Sequence, residues 1–461
     1  MKKTKFFSLL LVVSLLTALL CPLSASALEK IDTEAAAAIL AEADSGKVLY
    51  EKNADEMRAP ASITKLMTVL LAVEAVERGD VHLADQVTAS ELSRDDLTYD
   101  SSTQNIQPGE IMPFEELLYC ALVASANEAA NIIAEHVSGS REAFIALMNS
   151  RAKELGCTST HFANTHGLPA EGHYSTARDI SKIALEAINH PLLLEISGTK
   201  SREIPATNMS DVRYIKNTNR LILIDNNSSL YYKPATGLKT GYTEAAGYCL
   251  AASAEKDGIR MVCVVLGAGI ETADDGSNVP QSFAEAKKIF EWGFESYAYI
   301  SIINGGELIK EVPVALGDGA DSVIARVETG ITAFLPVDVK QEDFERKVTI
   351  FSEEEGAERL EAPIKAGDVL GEIELSLKGE NYGKVNLVAN TNIERSEYES
   401  FKDSVDKLLT SKWLRITLLS LAVLIVFVVA FFVVYNARRI NKRRKAWNIN
   451  RGRTEEDSIK K

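Results

Sequence analysis

The sequence predicts an α+β protein built in several parts, and three observations carry that expectation. Helical periodicity dominates Ser62 to Ile188, while strand-like apolar runs lie before it and after Lys239. Between about residues 300 and 392, Val, Ile, Thr and Gly alternate between frequent turns, the pattern of a small β-sandwich. Ile416–Tyr435 is then a run of twenty residues without a charge. As a helix that run covers about 30 Å, the thickness of a bilayer core. At 461 residues, two or more domains are expected on length alone.

Residues 1–27 read as an export signal. Lys2, Lys3 and Lys5 precede an apolar run to Leu20, and Ala25-Ser26-Ala27 offers a small-x-small cleavage site. A lipoprotein signal at Cys21 is the competing reading; Leu20 before that cysteine is large for it. Residues 28–297 read as one domain. Ala35–Ala41 and Lys47–Tyr50 are short apolar runs. Ser62–Arg78 follows Pro60 and sets Leu66, Leu70, Leu71 and Val73 at helical spacing. Phe114–Val123 is apolar, and Asn127-Glu128 opens another helical pattern through Ala129, Ile132, Ile133 and His136. Tyr248–Ala254 is strand-like, and Phe283–Tyr297 reads as a closing helix.

Residues 300–392 carry turns at Asn304-Gly305-Gly306, Gly317-Asp318-Gly319 and Gly379-Glu380-Asn381. Residues 393–415 read as a stalk, with Phe401, Val405, Leu408 and Leu409 at helical spacing. Residues 416–436 read as a transmembrane helix, apolar all round rather than on one face. Residues 437–461 form a basic tail with ten Lys/Arg against three Asp/Glu. The chain's net charge is −15, so the tail at +7 leaves −22 for the rest. A basic block beside an apolar run, on an acidic chain, points to a membrane and not to nucleic acid. The positive-inside rule puts the tail in the cytoplasm and the folded part outside.

Five cysteines are present: Cys21, Cys120, Cys157, Cys249 and Cys263. Cys249 and Cys263 flank the hairpin signal Lys256-Asp257-Gly258, so their pairing depends on strand register. Free buried thiols are expected. No Cys/His spacing resembles a metal site, and no cofactor is implied.

Three short motifs carry the chemistry: Ser62-Ile63-Thr64-Lys65, Ser125-Ala126-Asn127 and Lys239-Thr240-Gly241. A serine hydroxyl needs a neighbouring base. Ser62 at a helix start has Lys65 one turn above it, and the helix end favours developing negative charge. A lysine in a dry, cation-rich pocket loses its proton near neutral pH, so Lys65 is a candidate base. Ser125 and Asn127 lie on a turn between helices. Ser125 there could relay a proton, and Asn127 could hold a substrate amide. Lys239, Thr240 and Gly241 suit a strand edge beside which an extended peptide lies. Alone, each motif is more often an ordinary cap or turn.

The ordered triplet, within Ala59-Pro60-Ala61-Ser62-Ile63-Thr64-Lys65, Ser125-Ala126-Asn127-Glu128 and Gly237-Leu238-Lys239-Thr240-Gly241-Tyr242-Thr243, resembles the low-molecular-mass penicillin-binding proteins, the D-alanyl-D-alanine carboxypeptidases. His161-Phe162-Ala163-Asn164-Thr165-His166-Gly167-Leu168 and Ser175-Thr176-Ala177-Arg178-Asp179 are similar to a further block of that family, and Ala362-Pro363-Ile364-Lys365-Ala366-Gly367 to its C-terminal β domain. The resemblance implies an antiparallel sheet flanked by helices, plus a helical subdomain. It implies acylation of Ser62 by peptidoglycan stem peptides ending in D-Ala-D-Ala, with loss of the last residue. β-Lactams would acylate the same serine. The backbone N–H groups of Ser62 and Tyr242 would form the oxyanion hole, and Lys239, Thr240, Gly241 and Thr243 would meet substrate. His166 is expected on a loop that shapes the cleft; a triad with Asp179 is the weaker reading. Leu266–Ser282 holds none of the Arg that relatives often carry there, so Lys239 and Thr240 are expected to bear the carboxylate. Two other functions compete: a β-lactamase, for which an E-x-x-L-N segment is missing, and a penicillin-binding receptor or scaffold without turnover.

Overall fold

Strand β1 (Ala37–Glu42) is apolar at nearly every position because both of its faces are covered. Ala37 and Ile39 enter one hydrophobic core, and Ala38 and Leu40 enter another. This computed structural model describes residues 31–224, 228–272 and 278–458. The export signal and Cys21 lie outside them. The first compact unit runs to Ile300 and takes in Phe334–Val339; Ser301–Ala333 and the chain from Lys340 onward form the second.

The first unit is built on a five-stranded antiparallel sheet. β1 is followed by β2 (Val48–Lys52), β3 (Ala235–Thr243), β4 (Gly247–Lys256) and β5 (Ile259–Ala268), in spatial order β2-β1-β5-β4-β3. Alternation along β4 and β5 sends Ala251, Val262 and Val264 to one core and Leu250, Ala252 and Val265 to the other. The register sets Cys263 opposite Ala252 and Cys249 opposite Gly241. Those two sulfurs therefore belong to opposite faces, and the four described cysteines are free and buried.

Helices cover both faces. On one side lie α1 (Thr64–Arg78), α2 (Phe114–Leu122), α3 (Asn127–Ser138), α4 (Arg141–Glu154), α5 (Ala177–Ala187) and α6 (Pro191–Gly198). Eleven of the fifteen α1 residues are buried, so it runs through the middle of this layer. Gly79 ends it in the left-handed conformation, φ 79°. On the other side α7 (Gln281–Ser296) lays Phe283, Ala286, Ile289 and Phe290 on the sheet. It sits close: a Cβ on Gly293 would come within 2.5 Å of Leu40 Cδ2.

The inclusion of Phe334–Val339 in the first unit departs from a division at residue 300. Phe334 stacks on Tyr297 with centroids 5.7 Å apart and joins the first unit's core. The second unit holds a five-stranded antiparallel sheet of β6 (Leu308–Pro313), β7 (Ser322–Val327), β8 (Glu345–Ile350), β9 (Val369–Leu377) and β10 (Glu380–Ala389), in order β6-β7-β10-β9-β8. Two helices follow, α8 (Glu397–Thr410) and α9 (Lys412–Ser458), separated by an extended Ser411. Among the described residues α9 is the one helix long and apolar enough to cross a membrane. It continues unbroken into the basic tail.

Candidate active site

The three motifs converge on one cleft of about 840 Å³. Ser62 lies in the short 3₁₀ turn Ala61–Ile63 that leads into α1. This turn is forced tight. Ala61 has φ 48°, and Thr64 Oγ1 donates to Ala61 O at 2.8 Å. Gly167 packs against it so closely that a Cβ there would meet Ala61 O at 1.9 Å. One turn on, Lys65 is fully buried with Nζ 3.0 Å from Ser62 Oγ. The same Nζ donates to Asn127 Oδ1 at 2.6 Å and to His166 O at 2.8 Å. None of these acceptors is a carboxylate. Burial therefore pushes the Lys65 ammonium well below its ordinary range, Lys239 adds repulsion, and Glu128 opposes the shift.

Ser125 occupies the turn between α2 and α3, with φ 63°. A non-glycine residue there is strained, and such strain gathers at working sites. The turn is held by Ala126 N–H to Cys120 O (2.9 Å) and Asn127 N–H to Ser102 O (3.0 Å). Buried Glu128 anchors the next stretch, accepting at Oε1 from Thr103 Oγ1 (2.6 Å) and from the N–H groups of Gln104 and Ile106. Ser101 and Ser102, just before it, line the cleft with Ser62, Ser125 and Asn127.

Lys239, Thr240 and Gly241 lie on β3, the outermost strand of the sheet, so one edge is free to pair with an extended ligand. Gly241 is needed at that edge. A Cβ on it would stand 3.1 Å from Ser62 N and from Pro60 O. Tyr242 is exposed and stacks on Tyr248, centroids 4.4 Å apart; both line the cleft, as does Thr243.

Two of the expected site residues have buried side chains. Lys239 is buried on β3, with Nζ donating to Thr240 O at 3.1 Å. Burial pushes its ammonium down to about 7. His166 is also buried. Its ring bonds Asp96, and its loop meets the cleft through Leu168 and Pro169. Asp179 is elsewhere, accepting from Ser159 N–H and Thr160 Oγ1 near the start of α5, so it forms no triad with His166.

Sequence reasoning missed Thr218 and Arg220. Thr218 Oγ1 lies 2.6 Å from Thr240 Oγ1, and Arg220 lines the same wall without an ion pair to a described residue. Asn219 rigidifies this turn, donating to Gly237 O (2.9 Å) and capping Leu221 N–H (3.0 Å). The signal was Asn217-Thr218-Asn219-Arg220, a turn-type run about twenty residues before the Lys-Thr-Gly motif. The described residues hold one acid/His cluster, Glu74, Glu186 and His190. Arg151 already bridges its two carboxylates at 2.8 and 2.5 Å, which leaves an ion-pair network rather than a cation site.

The chain also matches known proteins. The D-alanyl-D-alanine carboxypeptidase family matches residues 24–269, and the C-terminal domain of penicillin-binding protein 5 matches residues 297–395. D-alanyl-D-alanine carboxypeptidase DacF of Bacillus subtilis is 33% identical over 80% of this chain and 88% of its own. DacC of Escherichia coli is 31% identical over 80% and 87%. Among solved structures, penicillin-binding protein 5 of Haemophilus influenzae is similar at 27% identity with a TM-score of 0.57, over 80% of this chain and all of that one.

Proposed function

This chain belongs to the D-alanyl-D-alanine carboxypeptidase family, and from that premise we propose the steps its residues carry out. It is a serine-type carboxypeptidase that removes the terminal D-alanine from peptidoglycan stem peptides. One observation carries the assignment of roles: Lys65 Nζ meets three oxygens and no carboxylate. A neutral amine has two N–H donors and one lone pair. Asn127 Oδ1 and His166 O take the two donors, so the lone pair is left for the Ser62 hydroxyl. Lys65 removes the Ser62 proton as Oγ attacks the penultimate carbonyl. The oxyanion is held by the N–H groups of Ser62 and Tyr242. Ser125 passes the proton to the departing amine, D-Ala leaves, and water hydrolyses the acyl-enzyme. β-Lactams acylate the same oxygen.

We assign the substrate's terminal carboxylate to Thr240, Thr218 and Arg220, the polar groups of the cleft wall beyond Ser62. Lys239 acts through its charge. The span and the basic tail support a C-terminal anchor in the cytoplasmic membrane, with the active site on the outer side. The test is mass spectrometry of full-length protein with diacetyl-Lys-D-Ala-D-Ala. Wild type should release D-Ala and carry a transient adduct on Ser62. Ser62→Ala should lose both, by on the order of 10⁴-fold or more in rate. Release at the wild-type rate by that variant would sink the assignment.

A further inference from the structure

Lys65 depends on two acceptors, and they come from different parts of the fold. Asn127 stands at the start of α3. The other acceptor is the peptide carbonyl of His166, on the loop Asn164–Leu168. A backbone carbonyl has no side chain of its own to aim it. What aims this one is a hydrogen-bonded chain that ends on Asp96.

The His166 ring sits in a defined state. Leu168 N–H donates to Nδ1 at 3.2 Å, so the ring proton is on Nε2. Nε2 then donates to Asp96 Oδ2 at 3.0 Å. Asp96 is itself fixed at Oδ1 by Asn131 Nδ2 (2.8 Å) and Arg141 Nη1 (3.1 Å). Asn131 lies on α3, one turn beyond Asn127. Its Oδ1 accepts from Thr165 Oγ1 at 2.6 Å, and Thr165 O accepts from Thr68 Oγ1 of α1 at 2.6 Å. Helix α1, helix α3 and the loop are thus tied together around Lys65. Burial also keeps the His166 ring on the neutral side of its ordinary range, which suits a ring with one donor and one acceptor.

We propose that Asp96 and the His166 imidazole are positioning residues that aim the His166 carbonyl at Lys65 and so point the Lys65 lone pair at Ser62. The inference rests on the Ser62–Lys65 reading above and adds two groups that touch neither substrate nor Ser62. Their loss disorients the base. The rate of acylation falls while reversible binding does not.

The experiment is stopped-flow acylation of the full-length protein in detergent by a fluorescent penicillin, resolving the binding constant from the first-order acylation rate. His166→Ala keeps the Asp96 charge but breaks the chain. It should slow acylation by about 10–100-fold at an unchanged binding constant. His166→Gln retains a donor for Asp96 and should recover most of that loss. Asp96→Asn should slow acylation without weakening binding, and it carries the test if His166→Ala does not fold. The proposal is overturned if the broken-chain variants acylate at the wild-type rate when saturated. It is equally overturned if Gln rescues nothing, because the imidazole would then act directly. A wild-type protein that is never labelled at Ser62 would instead sink the Ser62 reading.

Discussion

The two motif lysines, Lys65 and Lys239, are both buried, and their chemistry follows from that. A buried ammonium is costly unless it is paired, and neither Lys65 nor Lys239 has a carboxylate partner. Lys239 is the clearer case for a measurement. Its proton is bound below about 7 in the folded state and below the ordinary 10.5 when unfolded. Below 7 both states are charged, and the folded protein bears the full cost of the buried charge. Between 7 and 10.5 only the unfolded state holds the proton, so folding stability rises with pH. Lys239→Met should therefore stabilise the fold at pH 6–7, on the order of 1–3 kcal/mol. Its advantage should shrink toward pH 10, and its carboxypeptidase rate should collapse. Melting curves across that range check the sign; an advantage that grows with pH would contradict it. At this scale the motif residues were legible because their chemistry is written in the residue types. Asp96 was not legible. It lies in a polar stretch, Glu91 to Asp100, with no periodic or motif signal, and only tertiary contacts bring it to His166.

Elements place these residues through close approaches that glycine alone allows. Gly167 has φ 94° and lies against Ala61 O. Gly167→Ala brings both backbone strain and a steric clash, so the turn carrying Ser62 must shift. The expected result is a stability loss of about 2 kcal/mol or more, together with slower acylation. Paired thermal and penicillin-labelling assays read both, and a variant with wild-type values would show that the turn tolerates the contact. Helices and central strands were legible from periodicity and apolar runs. β3 was less so: Ala235-Thr236-Gly237-Leu238-Lys239-Thr240-Gly241 lacks clean alternation. Gly241 there serves the close approach to the Ser62 turn rather than the core, so site geometry overrides strand patterning.

For the molecule as a whole, the β-rich region and the long apolar helix stand out in the sequence pattern, but the chain path between the two units does not. Phe334 lies within the span 300–392 read as the β-rich region, yet it is buried in the core of the first unit. A truncation should respect that. Protein ending at Ser411 loses the apolar helix and keeps Phe334–Val339. It should leave the membrane fraction on lysis and retain kcat within about twofold, since no site residue is removed. Ending it at residue 300 instead should yield poorly folded protein. Fractionation and a D-Ala release assay distinguish these outcomes.

The four buried thiols have a practical consequence. Burial pushes Cys249 to about 11 and Cys157 to about 12, and raises Cys120 and Cys263 further. None presents a thiolate at neutral pH, so maleimide dyes find little to react with. Tyr99, by contrast, is fully exposed between Thr98 and Asp100, two residues of the cleft rim. A cysteine placed there would be the fast-reacting sulfur of the described chain. A fluorophore on it would watch ligands enter and leave the cleft, with no need to strip the natural cysteines first.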